Sequence, residues 1–128
     1  MAKYLKHYWK KNGSWLTTSN EVEQHHPESD YPGLGVKVWM HDSDGVDVCL
    51  SEVPDSTSIS TITVGSKKAV MELTETQFNS VKTPLDEASV LRQEASDAER
   101  SGDTDTAATK NTAAAAKETE AQNALNAL

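Results

Sequence analysis

The chain has 128 residues, a formal net charge of −8 and one cysteine. That length fits one small domain with an appendage. The acidity excludes a general nucleic-acid binder, which needs a basic face for phosphates, and the lone Cys49 excludes an internal disulfide and a cysteine-based metal site. The charge is uneven: residues 1–18 carry four lysines and no acid, whereas residues 83–128 carry nine acids against four bases. The small basic start reads as a solvated edge. No apolar run reaches the length of a signal peptide or a membrane span, so the chain reads as soluble and made in the cytoplasm.

The stretch "KYLKHYWKKNGSWLTT" is expected to be a β-hairpin, with Asn12-Gly13 supplying a type I′ turn that places Tyr8 opposite Thr17 and Trp9 opposite Leu16. Residues 19–35 hold Pro27 and Pro32 in a polar connection and read as irregular. The run "VKVWMHDSDGVDVCL" predicts a second hairpin. A three-residue loop, Ser43-Asp44-Gly45, with Gly45 in the left-handed conformation, makes Met40 face Val48 and Val38 face Leu50. Both apolar rows then share a face, which fixes the register. "SISTITV" and "KAVMEL", joined through Gly65-Ser66, predict a third hairpin. Three hairpins imply an α+β chain whose residues 1–73 form a small antiparallel β-sandwich or partly open barrel of about six strands.

Helix signals follow. Thr74 with Gln77 is a capping box and opens a short helix or connector over residues 74–82. Thr83 as N-cap and Pro84 at the first helical position predict a fresh start there, giving an Ala-rich arm over residues 83–128 of two helices broken near Gly102. Leu85, Ala88, Leu91, Ala95 and Ala98 form a thin stripe. Beyond the break, Ala107, Asn111, Ala114, Glu118, Ala121, Leu125 and Leu128 follow four-three steps, but two of the seven are polar, a poor coiled-coil seam.

All seven aromatic residues precede residue 83, and the arm has 12 alanines but only five large aliphatics. So little apolar bulk does not offset the entropy of ordering, and the arm is expected to take its order from neighbouring molecules. Leu85, Ala88, Leu91, Ala95, Leu125 and Leu128 are the expected assembly contacts.

Chemistry-bearing clusters are sparse. His41, Asp42, Asp44 and Asp47 crowd the second hairpin, yet an EF-hand counted back from Gly45 puts Met40 in the first ligand place, so the cluster reads as a turn with His41 facing Asp47. "EVEQHHPESD" offers His25, His26, Glu28 and Asp30 without the helical spacing of a zinc site, and reads as a solvated loop. Cys49 reads as a half-buried thiol. No catalytic motif, phosphate cradle or dinucleotide fingerprint is present, so neither catalytic residues nor a metal or cofactor is expected. Trp15, Trp39 and Tyr31 are an alternative ligand platform for a glycan or peptide, which would make the chain a small β binding module with a helical tether.

The run "YPGLGVKVWMHDSDGVDVCLSEVPD" through "AVMELTETQFNSV" resembles short reading frames of tailed phages that infect aquatic bacteria, especially cyanobacteria, over residues 3–82. The resemblance implies a virion component without enzymatic activity: an accessory protein of capsid, neck, tail or baseplate. Its implied partners are other virion proteins or copies of itself, with no nucleic acid and no membrane, and its implied location is the virion, after synthesis in the host cytoplasm.

Overall fold

A computed structural model describes residues 2–8, 33–43, 45, 47–64 and 67–128. The chain divides into two units, residues 1–78 and residues 79–128.

The first unit is one antiparallel sheet. Its strands are β1 (Ala2–Tyr8), β2 (Gly35–His41), β3 (Asp47–Pro54), β4 (Ile62–Val64) and β5 (Lys67–Leu73), in the order β2-β3-β1-β5-β4. With two helices after it, the fold is α+β with an open antiparallel sheet. The second hairpin has the register its apolar pattern requires: Met40 pairs with Val48, Val38 with Leu50 and His41 with Asp47. Its turn closes through the Gly45 amide, which donates to the Asp42 carbonyl at 3.0 Å, and Gly45 has φ +78°. Left-handed backbone of this kind favours glycine, so the turn residue and the strand register agree.

The first strand lies inside the sheet. Over Tyr4, Leu5, Lys6 and His7, β1 is paired with β3 on one side and β5 on the other. Both ladders of those residues are therefore occupied, and a returning strand has no edge to join there. The hairpin beyond Tyr8, including Asn12-Gly13, Trp15 and Leu16, lies outside the described residues, as does the sixth strand it was to supply. The third hairpin is shorter than expected. Its first strand begins at Ile62 rather than Ser58, because a register shift between Ile62 and Thr63 leaves few residues in line with β5.

Alternation along β1 places Leu5 and His7 on one face with Cys49, Ser51, Val53 and Val70. Leu5, Val53 and Val70 form a buried apolar cluster there, with Leu34 and Ile59 packed against it. The other face carries Tyr4, Lys6 and Tyr8 with Val38, Val48, Leu50 and Leu73. Phe78 stacks on Tyr4 with ring centroids 4.2 Å apart, and the Lys6 ammonium lies 5.2 Å from the Tyr8 ring centre. A stacked aromatic pair adds about 0.5–1.5 kcal/mol to the area it buries.

Helix α1 (Glu75–Arg100) opens on the expected capping box: the Thr74 amide donates to Gln77 Oε1 at 2.9 Å, and the Gln77 amide donates to Thr74 Oγ1 at 3.1 Å. It then runs without a break through Pro84, so Thr83 is not an N-cap and residues 74–82 are not a separate connector. Proline withholds one N–H and crowds the preceding turn, a cost borne here by burial of Val81, Pro84 and Ala88 around it. The unit boundary accordingly falls at Phe78, inside α1, where the Tyr4 stack ends.

Helix α2 (Thr104–Asn126) follows a three-residue turn. The Asp103 amide donates to the Ala98 carbonyl at 2.9 Å and the Gly102 amide to the Glu99 carbonyl at 3.1 Å, with Gly102 at φ +85°. These two bonds are a Schellman ending. Asp103 then caps α2, accepting from the Thr106 amide and hydroxyl, which hold its carboxyl below the usual carboxylate range. The break near Gly102 is where the sequence placed it.

Candidate functional site

Two arrangements carry the polar chemistry of the described residues. The first is buried in the sheet. His7 lies opposite Cys49 in the β1–β3 pairing, and its Nε2 is 2.5 Å from the Ser51 hydroxyl oxygen. All three residues are sealed from solvent. Burial pushes the His7 imidazole down to about 3, and burial together with the Asp47 carboxylate pushes the Cys49 thiol up. The imidazole is thus neutral and the thiol protonated near pH 7. A neutral, enclosed imidazole hydrogen-bonded to serine fixes two strands; it does not take a proton from an incoming substrate. Sequence reading missed this pair, since its only signal was that Leu5 and His7 share a strand face.

At the tip of the second hairpin, His41 Nε2 and Asp47 Oδ1 are 2.8 Å apart, the cross-strand pair expected from the turn. Among the described residues no three His, Cys, Asp or Glu side chains gather as a metal site. His25, His26, Glu28 and Asp30 lie outside them.

The second arrangement is the helical hairpin of residues 79–128. Buried residues recur at every seventh position on both helices: Val81, Ala88 and Ala95 on α1, and Ala107, Ala114 and Ala121 on α2, followed by Leu125. Side chains cross between the helices alongside them. Lys110 meets Glu94 at 3.6 Å and Lys117 meets Glu87 at 3.4 Å, each pair lying equally far before and after Gly102. Arg92 donates to Glu118 Oε1 at 2.6 Å and to Asn111 Oδ1 at 3.0 Å. Asn111 and Glu118 are the two polar residues that interrupt the α2 stripe, so one guanidinium on α1 satisfies both.

These contacts relocate the expected assembly residues. Ala88, Ala95 and Leu125 are buried in the chain itself, and Leu85, Leu91 and Leu128 are half-buried. The alanine stripe that was to seek a neighbour is buried within the chain, and the cross-helix pairs set the other helix alongside it. The outward side of α2 is different. Across residues 108–119, opposite the seam, it exposes Ala108, Thr109, Thr112, Ala115, Ala116 and Thr119. The hydroxyls of Thr109, Thr112 and Thr119 donate to carbonyls four residues back, at 3.0–3.1 Å. Sequence reading followed the apolar stripe and overlooked this uncharged one.

Of the alternative ligand platform, Trp15 and Tyr31 lie outside the described residues. Trp39 is 60% exposed on β2. No described helix is long and apolar enough to cross a membrane.

No family model, curated protein or solved structure matches this chain.

Proposed function

We propose that the chain is a non-enzymatic structural protein of a tailed-phage particle, an accessory of capsid, neck, tail or baseplate, that assembles with copies of itself through the outer face of α2. The phage assignment is supported by the resemblance over residues 3–82. The assembly surface is supported by charge. Copies carrying −8 repel one another, and the exposed Ala/Thr face of α2 offers a contact surface without like charges to oppose. Its threonine hydroxyls already have acceptors within the helix, which lowers the cost of removing them from water.

The sheet unit in this reading is the small sandwich or partly open barrel expected from six strands. Burial on both faces of β1, with Leu5 and His7 on one side and Lys6 and Tyr8 on the other, supports a second layer of cover.

The test is the mass of the full chain in solution across a concentration series. The Thr112→Glu, Ala116→Glu double variant changes two exposed positions and leaves the seam intact, unlike deletion of residues 83–128. Wild-type chain is expected to grow in mass with concentration and the variant to remain a single copy. Equal behaviour of the two refutes the α2 face as the assembly surface.

A further inference from the structure

We propose that the face of the β2–β3 hairpin carrying Trp39, His41 and Asp47 is a binding platform for a neutral glycan chain, one pyranose ring stacking on the Trp39 indole. The inference is independent of assembly through α2, since it concerns the sheet unit alone.

Trp39 is the exposed large hydrophobic side chain among the described residues of that unit; the other such residue, Val90, lies in the helical hairpin. Burying tryptophan is strongly favoured, yet the Trp39 indole stays 60% exposed on a registered strand. Its position is fixed: Trp39 pairs with Cys49, itself fully buried, which anchors the backbone beneath the ring. Two residues along the same strand face stands His41, with its Nε2 2.8 Å from Asp47 Oδ1. The indole is therefore flanked by an exposed imidazole and a carboxylate already locked to each other.

That combination discriminates between ligand classes. A protein-interface anchor sits among other apolar groups that exclude water, and here the neighbours along the strand are Lys37 and His41, both exposed. A cationic ligand would need the carboxylate for itself, but Asp47 is shared with His41. A sugar ring matches both parts: its C–H face suits the flat apolar indole, and its hydroxyls both donate and accept, as an imidazole–carboxylate pair does. An exposed ring on the outermost of the described strands suits a polymer lying across it rather than a small molecule enclosed in a pocket.

The experiment titrates the full chain with cellohexaose, chitohexaose and maltohexaose, with a trilysine peptide as the cationic control. Binding by every variant is measured by isothermal titration calorimetry, and in chains that keep the ring also by the Trp39 indole N–H resonance, assigned by its loss in Trp39→Phe. At least one hexasaccharide is expected to give a saturable shift. Trp39→Ala should weaken that binding roughly tenfold or more, Trp39→Tyr should retain part of it, and Asp47→Asn should weaken it with the ring in place. Circular dichroism checks that each variant folds. Absence of a saturable shift with all three sugars overturns the proposal, as does undiminished binding by Trp39→Ala or a response to trilysine alone.

Discussion

Arg92 on α1 donates to Glu118 on α2 at 2.6 Å while its second terminal nitrogen donates to Asn111 at 3.0 Å. One side chain thereby accounts for both polar interruptions of the α2 stripe. It also sets the helices in register, because the two acceptors lie seven residues apart on one helical face.

Arg92→Ala is expected to loosen the hairpin modestly. The pair is about half exposed, with side-chain exposures of 44% and 46%, so its Coulombic worth is screened. A loss of about 0.5–1 kcal/mol is expected, shrinking at high salt. Denaturant unfolding at low and high ionic strength measures it. A loss beyond about 3 kcal/mol would mean that Arg92 supports packing as well as register.

The seam should resist enlargement. Ala114 is fully buried at the middle of α2, so Ala114→Leu is expected to cost about 1–3 kcal/mol by overpacking. Ala108→Leu, on the exposed side of the same helix, is expected to stay within about 0.5 kcal/mol of wild type. Thermal unfolding of the two variants at matched dilution compares them, and equal losses would contradict the seam.

The turn at Gly102 offers an independent check. A Cβ there meets no neighbour within 4 Å, so the penalty of Gly102→Ala is conformational alone, from φ +85°. About 1 kcal/mol is expected, in hairpin stability rather than in the sheet. Amide exchange resolved by residue distinguishes the two.

His7 makes stability depend on pH. Its imidazole falls to about 3 in the folded chain, whereas an unfolded histidine sits near 6.5. Between those values the unfolded chain binds a proton that the folded chain refuses. Stability is thus fully present above about pH 6.5 and declines as pH falls toward 3, by up to about 1.4 kcal/mol per pH unit and on the order of 5 kcal/mol in all. Urea unfolding of wild type and His7→Gln at pH 7 and pH 5.5 tests this. The wild type should lose stability over that step and the variant should not; parallel behaviour would remove His7 as the cause.

Local signals were the readable part of the sequence. Asp42 to Gly45 could be placed because a glycine turn and two apolar rows agree on one register, and Thr74 with Gln77 because a capping box is complete within four residues. Long-range pairing was not readable. Nothing in the β1 sequence announces that Tyr4 to His7 lie between β3 and β5, partners more than 40 and 60 residues away. Pro84 misled for a related reason: a proline after threonine marks a helix start locally, and only the burial around it shows the helix passing through. Each helix taken alone is poor in apolar bulk, whereas together Val81, Ala88 and Ala95 on α1 and Ala107, Ala114 and Ala121 on α2 are buried. Arg92 lies outside the Leu85–Ala88–Leu91–Ala95 stripe, so its link to Asn111 and Glu118 was invisible until both helices were side by side.

The central claim is that the alanine seam closes within a single chain. Hydrogen–deuterium exchange at a dilution where light scattering reports one copy tests it most directly. The account predicts strong protection of the Ala107, Ala114 and Ala121 amides under those conditions, unchanged as concentration rises. Exchange of those amides at unprotected rates until the chain is concentrated would contradict it, and would mean that neighbouring molecules supply the order.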